Sequence, residues 1–362
     1  MPENAGANLT QVSYLGRQGI KFAAITLIVL IVGRVFLTAV VGFWISTHPP
    51  APPPPTVGFG RIPSLNFPSK TDQEKPSMYQ LQTSTGDLPV FKDRAKVFLM
   101  MKSSPSLLAD QRAKEIAANF GFVFQPTALN DRTYRWTKSA PLNATLNMDV
   151  QNFSFSLTTN YLSKPELLAQ RNLPDELQAV DLVKNFISSG EPLGEDISTS
   201  SGKVSYLKAF GGDVSPAVSF SDADFLKVDL DRSSVDDAWQ IYTPNGLDGI
   251  IHAVISGSFS GKDQIMELNN NYHQVDYTQV ETYPLRAVNN AWQTLQAGEG
   301  YIAQKGTSET AVIRNVTLGY YDDDKEQEYF QPIFVFSGDD GFIGYVQAID
   351  PVWVGANSIP IQ

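Results

Sequence analysis

The densest set of ligand-type side chains in this chain is the run Asp322-Asp323-Asp324-Lys325-Glu326-Gln327-Glu328. Hard cations such as Ca²⁺ take carboxylate oxygens from flexible loops, which makes Asp322, Asp323, Asp324 and Glu326 the candidate metal ligands. Strand-like sequence at 318–321 and 329–332 puts the run at a hairpin tip. The spacing and central glycine of an EF-hand are missing, and a charged tip of this kind is ordinarily hydrated, so hydration is the expectation. Asp222 and Asp224, like Asp229 and Asp231, stand two apart in strand-like sequence, which turns each pair toward one wet face. Past residue 48 the histidines are His252 and His273, each inside a strand pattern and without His-x-x-x-His or His-Glu-x-x-His spacing. They read as strand residues rather than ligands.

Nucleophile chemistry finds little support. Gly257-Ser-Phe-Ser-Gly261 misses the nucleophile elbow because Phe259 holds the central position and strand-like sequence surrounds it. The Ser-x-x-Lys pairs at 200–203 and 205–208 fall in loop or strand instead of opening a helix. The chain has no cysteine, which excludes disulfides, thiolate metal sites and cysteine nucleophiles together. No glycine loop cradles a phosphate. The reading is therefore a protein without catalytic residues or a cofactor. A glycosidase-type carboxylate pair stands as the distant alternative, because such a pair leaves no local signature.

What positions these residues begins with a membrane. Residues 22–46 form an apolar run of 25 residues broken by one charge, Arg34. As a helix it rises about 37 Å, enough to cross a hydrocarbon core of about 30 Å. It is too long for a signal-peptide core and exits into Trp44-Ile-Ser-Thr-His-Pro-Pro without a small-x-small cleavage site, so an uncleaved anchor is expected. Arg17 and Lys21 precede it and Arg61 is the first basic residue after it, which predicts a cytoplasmic tail at 1–21 and an extracytoplasmic remainder. Arg34 near the midplane is costly, about 2.5–3.5 kcal/mol, and is either tolerated or paired with a partner's transmembrane helix. Of 27 basic and 38 acidic residues, Arg17, Lys21, Arg34 and Glu3 lie in 1–48; the remaining 24 and 37 give the rest of the chain a net charge of −13. That excess argues against nucleic acid as a partner.

Residues 47–76 read as a spacer, opened by Pro49-Pro-Ala-Pro-Pro-Pro-Pro and unable to form helix or sheet. Its second half is unusually apolar. Phe59, Ile62, Leu65 and Phe67 suggest an extended segment lying on a surface, its own or a partner's, and stand with Arg34 as candidate partner contacts. Residues 77–160 then read as one α+β module: strands at 78–83 and 94–100, a helix at 106–120 with Leu108, Ala113, Ile116, Ala117 and Phe120 on one face, and strands at 133–136, 144–150 and 152–157. Residues 161–362 read as a second, strand-rich α+β module. A helix at 174–188 carries Leu177, Val180, Val183 and Ile187 inward, and one at 285–297 carries Val288, Trp292 and Leu295. Strands fall at 203–210, 224–231, 249–259, 264–283, 311–321, 328–338 and 342–349. Strands with inserted helices, lacking regular βα alternation, predict antiparallel sheets with packed helices.

The segments Ala291-Trp-Gln-Thr-Leu-Gln-Ala-Gly298, Ala311-Val-Ile-Arg-Asn-Val-Thr-Leu-Gly-Tyr-Tyr321 and Gln331-Pro-Ile-Phe-Val-Phe-Ser-Gly338 resemble the extracytoplasmic domains of single-pass bacterial accessory proteins of the YycH/YycI type, and PepSY-like modules. The resemblance covers about 50 C-terminal residues. It implies a membrane-tethered regulatory or protein-binding module in the bacterial cell envelope, with no catalytic residues to carry over. The alternative is a structural subunit of a cell-envelope or secretion/pilus-type membrane complex.

Overall fold

The computed structural model describes residues 9–47, 53–69, 75–104, 106–164 and 172–355. The first part of the expected tail and parts of the spacer lie outside these residues. The chain divides into two compact units, Met1–Pro54 and Pro55–Gln362.

The first unit is helix α1, Leu9–Thr47, 39 residues long. It starts well before residue 22 because 9–21 contains no proline to stop it. Its stretch Ser13–Thr47 is long and apolar enough to cross a membrane. The hydroxyls of Thr26, Thr38, Ser46 and Thr47 donate to carbonyls three or four residues earlier, so these hydroxyls are satisfied within the helix.

The second unit holds two sheets. One has nine antiparallel strands: β3 (Thr127–Ala128), β4 (Thr133–Lys138), β5 (Ala144–Asp149), β6 (Phe155–Thr159), β12 (Ile265–Asn270), β11 (Ile251–Ser256), β9 (Phe225–Leu230), β7 (Lys203–Phe210) and β8 (Asp213–Pro216), in that spatial order. Its strands alternate strictly. Trp136, Leu146, Leu157, Leu268, Ala253, Val228 and Leu226 point to one face, where helices α2 (Ala109–Asn119) and α3 (Glu176–Ser188) close the core with Ile116, Phe120, Val183 and Phe186. A capping box opens α3: Asp175 accepts from the Gln178 amide and Gln178 reciprocates. Gly121, at φ +91°, takes the left-handed turn expected after α2. Gly190 matters for space instead: a Cβ there would stand 2.7 Å from Phe120 and 2.8 Å from Ile116. Two expected inward residues face water. Leu108 precedes α2 and is 66 % exposed, and Leu177 on α3 is 76 % exposed.

The eight-stranded sheet is built on the long hairpin β15 (Thr310–Tyr321) and β16 (Tyr329–Gly338), continued by β17 (Ile343–Gln347) and β14 (Tyr301–Gln304). β1 (Met78–Leu81) and β10 (Ile241–Tyr242) pair with β15 in parallel, a departure from the purely antiparallel expectation. β2 (Arg94–Met100) pairs with the start of β16 and with β13 (Val275–Pro284). Helix α5 (Val288–Gln296), ended at Gly298, covers one face with Ala291 and Leu295 on Phe334, Phe336 and Val346.

Both sheets draw strands from either side of residue 160. β6 pairs with β12, and β1 and β2 pair with β15, β13 and β16, so the expected module boundary at 160/161 does not separate the sheets. The single strand expected at 264–283 is two. β12 belongs to the nine-stranded sheet and β13 to the other, and the chain crosses between them through Asn271, Tyr272, His273 and Gln274.

Candidate functional site

The nine-stranded sheet has helices on one face only. Odd-even alternation sends every second side chain of its strands to the opposite face, where Phe225, Val254 and Met266 pack with Leu142 and Tyr161 in one patch and polar residues occupy much of the rest. Directly opposed positions form a continuous cross-strand row: Lys203, Asp229, His252, Asn269, Ser156, Asn147 and Arg135, on β7, β9, β11, β12, β6, β5 and β4. A second row beside it reads Ser205, Lys227, Val254, Glu267, Thr158, Thr145 and Thr137 on the same strands.

Within these rows the groups are matched. The Asn269 amide Nδ2 lies 2.9 Å from His252 Nε2. An amide nitrogen only donates, so Nε2 accepts and the ring proton sits on Nδ1. Arg135 Nε donates to Asn147 Oδ1 at 2.9 Å. Lys227 Nζ stands between Asp229, 3.2 Å away, and Asp248, 3.3 Å away. Burial works against the Lys227 charge, yet the two carboxylates outweigh it and hold its pKa above the usual lysine value. Burial raises Asp229 despite Lys227. At the rim, Asp231 is pushed up to about 6 by burial, then by the charges of Asp229 and Asp322.

Chemically this is a field of donors, acceptors and compensated charges rather than a nucleophile with its base. Ser156 lies two strands from His252 in the row, about 10 Å at the usual strand spacing and beyond hydrogen-bond reach. A recess of about 630 Å³ lies elsewhere, beside α2, lined by Ser104, Arg112, Glu115, Gln151 and Phe153 among others. Its arginine is already engaged: Arg112 holds Glu191, just outside the recess, in two hydrogen bonds of 2.6 and 2.8 Å. Glu115 is the one carboxylate in its lining.

The acidic run does occupy the β15–β16 hairpin loop, but its first two carboxylates are not hydrated. Asp322 is 1 % exposed and Asp323 5 % exposed. Asp322 grips the fully buried Arg232, Oδ2 to Nε at 2.7 Å and Oδ1 to Nη2 at 3.2 Å. Arg232 Nη1 reaches Asp196 Oδ2 at 2.7 Å, and its Nη2 also donates to the His273 carbonyl. Asp196 in turn accepts from the hydroxyls of Tyr272, 2.8 Å, and Tyr277, 3.0 Å, while the guanidinium lies 4.5 Å from the Tyr272 ring. The knot ties the crossover between β12 and β13 to the hairpin loop, which is why the loop is drawn inward.

The other run residues go separate ways. Asp323 caps its own loop through the Lys325 amide, Glu326 accepts from the Ser103 amide and hydroxyl, and Asp324 is exposed. Asp322, Asp323, Asp324 and Glu326 therefore do not converge, and among the described residues no group of three or more His, Asp or Glu is placed to hold a metal. His273 is buried, with its ring pKa lowered by that burial. Arg232 and Asp196 had no signal in the sequence, since they lie 36 residues apart and Asp322 lies 90 beyond Arg232.

The apolar spacer residues, expected as partner contacts, are seated on the chain's own body. Ile62 is fully buried among Val97, Tyr283, Tyr329 and Ile349, and Phe59 lies against Tyr329. Leu65 and Phe67 pack on Tyr301, Tyr321 and Tyr345. The most exposed large apolar side chains among the described residues of the body are instead Val90, Leu107, Phe210 and Val218. Arg34 is on the exposed surface of α1. No protein-family model matches the chain, and no curated protein matches it.

Proposed function

We propose that this protein is a membrane-anchored binding module that acts outside the cytoplasm without catalysing a reaction, and that its partner surface is the polar part of the nine-stranded sheet's face opposite α2 and α3. The observation that carries this reading is the pair of cross-strand rows. Seven strands carry Lys203, Asp229, His252, Asn269, Ser156, Asn147 and Arg135 in register on the face opposite α2 and α3, with Asp229 buried and Lys203 and Arg135 exposed at the two ends of the row. Helix α1 supports the anchoring part, and the Arg17/Lys21 flank supports the outward orientation. The resemblance to YycH/YycI-type accessory proteins favours a regulatory role for the complex that forms, with an adjacent sensor kinase as its natural counterpart.

Photo-crosslinking amino acids at Asn147 and Thr158, in native membranes, test the surface against the exposed helix-side position Leu177. A discrete crosslinked protein from the first two positions and none from the third is expected. Equal capture at all three, or no protein captured from the sheet positions, removes the proposal.

A further inference from the structure

Residues 56–67 run over the face of the eight-stranded sheet opposite α5, and they sit there as a bound peptide sits in a groove. Their attachment is not a strand ladder. Among the described residues one β-bridge joins the segment to the body, Ile62 to Val354, flanked by the Ile62 amide on the Trp353 carbonyl and the Gly355 amide on the Ile62 carbonyl, each 2.9 Å. At the entrance the Val57 amide also donates to the Thr282 carbonyl at 3.1 Å, and side chains supply the other contacts. Gln331 Nε2 donates to the Pro63 carbonyl at 3.1 Å, Gln347 Oε1 accepts from the Leu65 amide at 3.4 Å, and the two glutamines are linked to each other at 2.7 Å. At the entrance, Thr56 and Thr282 exchange amide–hydroxyl contacts, with their hydroxyls 3.3 Å apart.

From Pro63 to Phe67 the side chains alternate inward and outward. Phe67 ends the series in an aromatic box, stacked on Tyr301 at 5.1 Å and edge-on to Tyr321 at 4.8 Å. Extended apolar segments punctuated by proline, held by side-chain amides and aromatic walls, are a recurring kind of peptide recognition. The fit carries one defect. The hydroxyls of Tyr301 and Tyr345 reach the carbonyls of Pro244 and Thr243, but the Tyr321 hydroxyl is buried without a hydrogen-bond partner. An orphaned buried hydroxyl carries an uncompensated desolvation cost, so the seated segment is held less tightly than its apolar contacts alone would give.

We infer that this groove is a peptide site and that residues 56–67 are an exchangeable ligand for it, supplied in cis in a single molecule and in trans by a second copy of this chain. Every copy carries one groove and one matching segment. Eight residues, 48–55, separate that segment from α1 and allow it a reach of about 28 Å when extended. Anchoring in one membrane would hold two copies side by side, and exchange of an identical element is a low-cost route to a dimer. The site lies on the other sheet from the proposed partner surface, so either can fail without the other.

The cysteine-free background makes the test clean. T56C and T282C place thiols at an exposed and a half-buried position whose native hydroxyls are 3.3 Å apart. In the full-length double variant T56C/T282C, expressed in membranes, an intramolecular disulfide is expected; it reports that the segment is seated as described. Two differently tagged single variants, one T56C and one T282C, are then co-expressed. A disulfide between the two tags is expected, well above that formed when T56C is paired with V218C, a more exposed position away from the groove. Formation of the intramolecular disulfide with no inter-copy product above the V218C control overturns exchange. Failure of the intramolecular disulfide overturns the groove itself.

Discussion

Arg232 is the most committed residue in the molecule. Its guanidinium is wholly out of water, and burial opposes its charge, but the carboxylates of Asp322 and Asp196 hold that charge so firmly that its pKa rises. Such triads contribute little over a well-packed apolar substitute, yet breaking one leaves the other charges stranded. R232M, which strands Asp196 and Asp322 together, should therefore cost about 3–5 kcal/mol in chemical or thermal unfolding. A loss below about 1 kcal/mol would mean that the carboxylates reach water. Asp323 makes a second prediction. Burial lifts its folded-state pKa to about 6, above an unfolded value near 3.9. A carboxyl raised in this way favours the folded state below the unfolded value, and that stability is lost as pH climbs through 6. D323N keeps the acceptor for the Lys325 amide and removes the charge, so it should raise the Tm at pH 7.5 and leave it unchanged near pH 4. His273 runs in the opposite direction: its lowered pKa makes protonation favour the unfolded chain below about pH 6.5, and that slope should persist in D323N.

At the level of elements, helical period found the helices and most of their inward residues but misplaced Leu177. On α3 the buried set is Ala179, Val180, Val183, Phe186 and Ile187, centred on Val183. At 100° per residue Leu177 lies about 120° from that centre, so the first turn turns its leucine to water while Phe186 takes the inward place. L177A should accordingly change stability by no more than about 0.5 kcal/mol. I62A should cost about 2–5 kcal/mol, although Ile62 belongs to a segment whose prolines and glycines read as spacer, because its side chain is fully buried. Parallel urea titrations of both variants decide the point, and equal effects would refute this seating of the segment. Trp292 stands between these extremes. It is half-buried against Phe336 at 5.8 Å and should lose about half of what a fully buried tryptophan loses on truncation to alanine, about 2 kcal/mol.

For the whole molecule, the two sheets share their strands across the length of the chain. β1 and β2 come from the first hundred residues and pair with strands near 275–338. Truncation at residue 160 would consequently take partners from both sheets and leave open strand edges prone to association. The proposed topology is testable at this scale. Protease added to intact cells should digest the chain beyond residue 49 and spare the segment before α1. Protection of the body, or a mature N-terminus near residue 48, would reverse the orientation or the anchor.

The sequence by itself determined what depends on neighbours along the chain. An apolar run without proline makes α1 whatever surrounds it; alternation sets the ends of β2 and β7; Asp175 with Gln178 opens α3, and Gly121 and Gly298 close α2 and α5. The tertiary structure decided what depends on partners far away. Alternation says that a strand has an inner and an outer face but not which sheet it joins, so 264–283 read as one strand when its halves enter different sheets. Asp322 looked hydrated because nothing near it in sequence reveals Arg232, and Phe67 looked free because the tyrosines that enclose it lie more than two hundred residues on. Burial of a charge or an exposed-looking phenylalanine is settled by packing between distant segments, and local spacing carries no record of it.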